Sequence, residues 1–222
     1  MKTIIITTSV MLFLSSLLQA QVDKTQLAKN IKARYSQNYA EIAKYTWQKQ
    51  TQIFHSGELK LTIDGETSIG ANGKPVEQVT EKISTGKEKR GLRGAIEKSE
   101  ADDMKEYVQK AAKLVSEYIF MNDSQMVKLF NKGTVSELTN ELQVEAFDFL
   151  VKEDNLQFLY DMKTLECVSQ TVNTVMSGDK VNAQILYKAL DDVNVVGKIT
   201  LDLPAKDLSV VIVDSQWAKK IQ

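Results

Sequence analysis

Apolar residues along the chain follow two rhythms. Between Lys24 and Ala43, residues Leu27, Ile31, Tyr35, Tyr39 and Ile42 recur three to four positions apart, which places them on one stripe of a helix with Asp23 or Thr25 able to accept its first amides. The spacing then shortens to two. Tyr45, Trp47 and Ile53 share one parity, and Leu59, Leu61 and Ile63 alternate with Glu58, Lys60 and Thr62, so two strands are predicted with His55-Ser56-Gly57 as their connection. Asn72-Gly73-Lys74-Pro75 reverses the chain again, and Val76 to Ile83 reads as a further strand.

A charged, glycine-containing stretch from Ser84 to Gly94 reads as a surface loop. Beyond it the helical spacing returns: Ser99 is placed to cap a helix, and Met104, Tyr107, Val108, Ala111, Leu114, Val115, Tyr118 and Ile119 form its buried side. A short helix from Asp123 to Asn131, ended by Gly133, is expected next, with another helical turn or two over Ser136 to Leu142. Six runs of strand character follow: Ala146 to Val151, Leu156 to Tyr160, Leu165 to Met176, Val181 to Leu190, Val193 to Leu203 and Leu208 to Val213, separated by polar breaks such as Glu153-Asp154-Asn155 and Ser177-Gly178-Asp179. In the last hairpins Val181, Ala183, Ile185, Tyr187 and Ala189 keep one parity, as do Val193, Val195, Ile199 and Leu201. Such alternation means one dry and one wet face, the signature of antiparallel sheet, and the connections are too short for parallel crossovers.

The expected fold class is therefore α+β, with a strongly curved antiparallel sheet of roughly nine or ten strands, a half-barrel, covered by the N-terminal helix and the central helices. Domain organisation is simple. Lys2, an uncharged run from Ile4 to Leu18 and the small residue of Leu18-Gln19-Ala20 form a cleavable signal peptide over 1–20, and 21–222 form a single domain exported to the periplasm or beyond the cell. No second run approaches membrane length, so no transmembrane segment is expected in the mature chain. With 28 basic against 29 acidic residues, the charge balance offers no footprint for nucleic acid.

The catalytic inventory is sparse. His55 is the one histidine and sits at a strand connection, no nucleophile elbow is present, and Cys167 is the one cysteine, placed in a strand. Neither a metal nor a cofactor is called for, since one His and one Cys give no ligand spacing. Glu100, Asp102, Asp103 and Glu106 cluster near a helix start, where acids favour the positive end of the dipole. The basic stretch Lys87-Glu88-Lys89-Arg90-Gly91-Leu92-Arg93-Gly94 offers Lys89, Arg90 and Arg93 as a candidate site for anionic headgroups, without the order of a nucleotide phosphate loop.

A one-sided sheet under helices can enclose an apolar guest. The candidate lining is Leu59, Leu61 and Ile63 from the first strand group and Ile185, Tyr187, Ile199 and Leu201 from the second. The order of elements, a helix around Leu27 to Ile42, strands at Tyr45 to Ile63, helices at Ser99 to Asn131 and a meander to Val213, resembles the half-barrel superfamily of periplasmic lipoprotein carriers. Trp47-Gln48-Lys49 and Lys89 to Gly94 are similar to an uncharacterised group of secreted bacterial proteins. The resemblance implies an apolar cavity between sheet and helices. The expected function is non-catalytic binding or transport of a lipid, acyl chain or other apolar molecule in the cell envelope. The alternative is a structural module that meets an envelope protein partner through an exposed strand edge or the basic loop.

Overall fold

The computed structural model describes residues 24–71, 73–84 and 92–220, the side chains of residues 84 and 92–100 excepted. The signal peptide expected over 1–20 lies outside the described residues. Helix α1 (Lys24–Ile42) opens the fold and three strands follow in a meander, β1 (Tyr45–His55), β2 (Glu58–Ile69) and β3 (Pro75–Ser84). Two helices come next, α2 (Leu92–Ile119) and α3 (Asp123–Lys132). The chain then builds β4 (Thr134–Glu137), β5 (Glu141–Phe147), β6 (Asn155–Asp161), β7 (Cys167–Met176), β8 (Asp179–Leu190), β9 (Val193–Leu203) and β10 (Leu208–Lys219), with a 3-10 turn at Pro204–Lys206.

The strands form one sheet in the order β3-β2-β1-β10-β9-β8-β7-β6-β5-β4, antiparallel throughout. The first meander thus joins the second through β1 against β10, the two ends of the chain's strand set. This pairing carries β10 six residues past the expected end at Val213, because Asp214 to Lys219 find backbone partners on β1, from Lys49 back to Tyr45.

The strongly curved half-barrel is not what forms. The sheet is open, with β3 and β4 as edges and no pairing between them, and helices flank it. Alternation reports that one face is dry but carries no information on how far a sheet rolls. Here the helices cover the dry face, so burial does not require closure. Closure also needs matched stagger and edge length, and four-residue β4 cannot pair along ten-residue β3.

Local expectations change as well, and the strand expected over Ala146 to Val151 lies earlier, as β5 at Glu141–Phe147. Ser136 to Leu142 is not helical: Thr134 to Glu137 pair with β5, and Leu138 N–H donates to Glu141 O at 2.8 Å to close the hairpin. Helix α2 begins at Leu92, ahead of Ser99, because Glu97, Lys98, Ala95 and Arg93 are strong helix formers and charge alone does not make a loop. Finally, β8 and β9 shift register between Leu186–Lys198 and Tyr187–Val196, which leaves Gly197 unpaired as a bulge. Past it the parity flips: Val196 packs with the main core, whereas Val193 and Val195 pack with Tyr45 and Trp217 in a separate cluster.

The main core lies between the sheet and the helices. Val108, Ala111, Val115, Tyr118 and Ile119 of α2 are buried against it, with Met126, Leu129 and Phe130 of α3. Asn122 and Gln125 cap α3 reciprocally: Gln125 N–H donates to Asn122 Oδ1 at 3.0 Å, and Asn122 N–H to Gln125 Oε1 at 2.8 Å. Gly133 ends α3 against β5, where a Cβ would lie 2.6 Å from Leu129 O and 2.9 Å from Glu145 O. Asp154, 1% exposed, fastens α2 to the sheet: it accepts Tyr118 Oη–H at 2.9 Å and the N–H groups of Phe149, Leu150 and Val151.

Candidate functional site

Helix α1 lies over the end of the sheet where β6 to β9 meet. Ile31 is its single fully buried side chain; Leu27, Ala28 and Tyr35 pack part-buried against the main core and Ile42 against the second cluster, and polar contacts flank this stripe. Lys24 Nζ donates to Gly133 O, Lys32 pairs with Asp123 at 2.7 Å, and Tyr35 Oη–H donates to Ile119 O at 3.1 Å. Asn38 mimics a strand residue: its Nδ2 donates to Asn194 O at 2.6 Å, and Asn194 N–H donates to its Oδ1 at 2.7 Å. The Gly197 bulge positions this hairpin end, since it turns Asn194 and Val196 toward α1.

Between these elements is an apolar slot of about 60 Å³. Ile31, Tyr35, Tyr39 and Ile42 line it from α1, Ile119, Phe120, Met121 and Met126 from the central helices, and Phe158, Tyr160, Leu165, Cys167, Tyr187 and Val196 from the sheet. Rings order its walls: Tyr35 stacks on Tyr39 with centroids 6.1 Å apart, Phe120 meets Tyr39 edge-on, and Phe158 stacks on Tyr160. Burial pushes the tyrosine hydroxyls of Tyr35, Tyr160 and Tyr187 well above the ordinary phenol value, and neighbouring Cys167 raises each further. Burial likewise pushes the Cys167 thiol up, so it stays protonated and is a poor nucleophile. The titratable groups deep in the slot therefore stay uncharged.

Its mouth is polar. Arg34, Asn38 and Glu166 line both the slot and an adjoining funnel of about 560 Å³, whose other walls are Gln37, Glu41, Tyr45, Ala189, Asp191, Asp192, Val193 and Lys219. Arg34 and Glu166 form an ion pair across the junction, with side-chain exposures of 31% and 20%. This pair and the Asn38–Asn194 contact stand where the slot and the funnel adjoin.

Of the candidate apolar residues, the structure brings Tyr187 to the slot, where its hydroxyl donates to Gln170 Oε1 at 3.3 Å. Ile63 lies elsewhere, in a groove of about 170 Å³ with Ile53, Val108, Ala112 and Ile212 and with Lys49, Glu77 and Lys105 at its rim. Ile185 and Leu201 are wholly buried, Leu61 and Ile199 are half-buried against the same core, and Leu59 is half-buried on β2. The seven therefore do not converge on one cavity. Lys89 and Arg90 lie outside the described residues, and Arg93 is in α2 with its side chain undescribed. His55 closes β1 opposite Leu208. Among the described residues no group of three or more His, Cys, Asp or Glu is placed to hold a metal ion, and no helix is long and apolar enough to cross a membrane.

Sequence reasoning missed most of the slot. Ile31, Tyr35, Tyr39 and Ile42 were legible as a stripe, yet a stripe does not say which part of the sheet it meets. Val196 was hidden by the bulge that reverses its parity. Met121, Leu165 and Cys167 sit at element ends, where no periodicity operates.

No protein-family model matches the chain, and no curated protein matches it. Solved structures do. A DUF1329 family protein from Desulfovibrio piger ATCC 29098 is similar at 11% identity with a TM-score of 0.45, over 90% of this chain and 94% of that one. A LolA superfamily protein, NE2245 from Nitrosomonas europaea, is similar at 8% identity with a TM-score of 0.39, over 88% and 94% of the two chains. This is a distant resemblance to the LolA and DUF1329 fold at low sequence identity, and at these values it carries no ligand or mechanism to this chain.

Proposed function

We propose that the chain binds the apolar portion of a lipid or other acyl-bearing molecule, without catalysis, in the slot beneath α1. The observation that carries this reading is the neutral, ring-lined slot joined through Arg34, Asn38 and Glu166 to a polar funnel. That order of surfaces, apolar depth and polar entrance, suits an amphipathic guest whose tail leaves water while its head stays solvated. The exported setting follows from the signal-like pattern of residues 1–20.

The slot's about 60 Å³ is far below the roughly 300–1,000 Å³ of ordinary ligand pockets, so it represents a shut form. Binding then requires α1 to move outward from the β8–β9 end. That motion uncovers Ile31 and part of the packing of Leu27, Ala28, Tyr35 and Ile42, a cost the entering tail offsets by covering the same surface, while the Asn38, Tyr35, Lys32 and Arg34 contacts can exchange with water.

The test is uptake of a fluorescently tagged long-chain fatty acid by delipidated protein, displaced by the untagged acid. Val196→Phe, which fills the slot, is expected to weaken uptake at least tenfold with circular dichroism unchanged. Asn38→Ala, which loosens α1, is expected to speed uptake. Absence of saturable uptake in the native chain, or full uptake by Val196→Phe, defeats the reading.

A further inference from the structure

The sheet's two edges differ in kind. Edge strand β4 is four residues long, whereas β3 has ten, and its side chains are exposed from Val76 to Ile83. Three of them are large and β-branched: Val76, Val79 and Ile83 are 54%, 45% and 48% exposed. A long edge of this composition presents free backbone groups together with apolar surface.

A bulge sets which β3 side chains share a face. Asp64 pairs with Glu81 and Gly65 with Val79, so Thr80 is the extra residue, and its hydroxyl donates to Asp64 O at 3.1 Å. Because Ile63 faces the core and pairs with Lys82, while Thr67 faces the same way and pairs with Glu77, both Glu77 and Lys82 lie on the helix-covered face. Val76, opposite Ser68, and Ile83, opposite Thr62, lie together on the other face. Simple alternation would have separated the members of each pair.

We propose that β3 pairs antiparallel with β3 of a second copy of this chain, about a two-fold axis between Val79 and Thr80, joining two sheets into one. In that register Val76 meets Ile83 of the second copy, Glu77 meets Lys82 and Gln78 meets Glu81, each contact occurring twice by symmetry. Every pair falls on a common face because the two bulges coincide at the axis. A slip of one residue toward the N-terminus sets Glu77 against Glu81 and Val76 against Lys82, so the charge match and the apolar match are lost together.

The charges around the edge fit this occupant. Lys82 and Lys105 of α2 lie side by side: Lys82 holds the Lys105 ammonium below its ordinary pKa, and Asp102 offsets this in part. Glu77 of the second copy brings this lysine pair a further carboxylate. In the single chain Glu77 reaches inward over Gly65 to Lys49 of β1 at 2.5 Å, so its carboxylate exchanges Lys49 for Lys82 of the second copy as the two edges meet. This inference stands apart from lipid binding: the slot under α1 and the β3 edge share no residue.

Sedimentation velocity over a concentration series tests it. The native chain is expected to show a reversible monomer–dimer equilibrium, with amides of residues 76–83 gaining hydrogen-exchange protection as concentration rises. Lys82→Glu alone and Glu77→Lys alone are each expected to weaken dimerisation at least tenfold. A one-to-one mixture of the two is expected to restore it, because every acid then meets a lysine across the axis. If Glu77→Lys disturbs the fold through Lys49, Val76→Lys with Ile83→Lys reads the same surface and is expected to leave monomer. A native chain that stays monomeric throughout overturns the proposal, and so does a dimer that Lys82→Glu and the double lysine variant leave unchanged.

Discussion

Replacing Asp214 by asparagine is expected to stabilise the protein above neutral pH and to leave it nearly unchanged in acid. Asp214 is 8% exposed on β10, opposite Lys49 of β1 and beside Trp47. Burial pushes its carboxyl up to about 7 from 3.8, and nearby Glu77 adds to this, against the downward pull of Lys49, Trp47 and Lys188. Burial wins because water is lost from the charged form, and the Lys49 ammonium is already committed to Glu77. The native state thus holds this proton more tightly than the unfolded chain. The group's contribution to stability is complete below the unfolded value, declines as pH rises from about 4 to about 7, and stays lost above that.

Roughly three pH units at about 1.4 kcal/mol each set a ceiling of about 4 kcal/mol, and local relaxation makes about 2–4 kcal/mol the expected gain for Asp214→Asn at alkaline pH. The amide keeps the size of the protonated acid, so at about pH 4 the two proteins should unfold together. Urea titrations at several pH values, followed by tryptophan fluorescence, measure the difference directly, since Trp47 and Trp217 stack at 4.4 Å beside this carboxylate. A difference that is the same in acid and base, or a variant less stable at alkaline pH, refutes the reasoning.

Two further substitutions follow from the core. Asp154→Ala removes the acceptor of Tyr118 and of three backbone N–H groups in a buried site, and chemical denaturation should record a loss of at least about 3 kcal/mol. Gly133→Ala sets a methyl against the carbonyls of Leu129 and Glu145, so the end of α3 must shift from β5; a drop of about 1–3 kcal/mol is expected by the same measurement, and an unchanged midpoint shows the junction to be compliant.

Much of the architecture was legible from local pattern. The α1 stripe, the β1–β2 and β2–β3 reversals, the buried side of α2, the α3 helix and the β6 to β9 strands all appear where period and turn chemistry place them. Asp154 is instructive in a different way. In a Glu-Asp-Asn run it reads as turn punctuation, and only the approach of Tyr118 from α2 makes it the anchor of a buried network. The membership of the slot under α1 was not legible, since of the seven residues anticipated as cavity lining Tyr187 alone reaches it.

By itself the chain's alternation determined antiparallel strands with a single dry face, and its three-to-four spacing determined the helices that cover it, because both depend on neighbours a few residues away. Tertiary structure decided the rest: that β10 closes on β1, that the sheet stays open, that Gly197 and Thr80 each reverse a parity, and that α1 meets the β8–β9 end. Those outcomes turn on backbone partners and packing surfaces far apart in sequence. A single unpaired residue exchanges the two faces of everything beyond it while leaving the one-dimensional pattern intact.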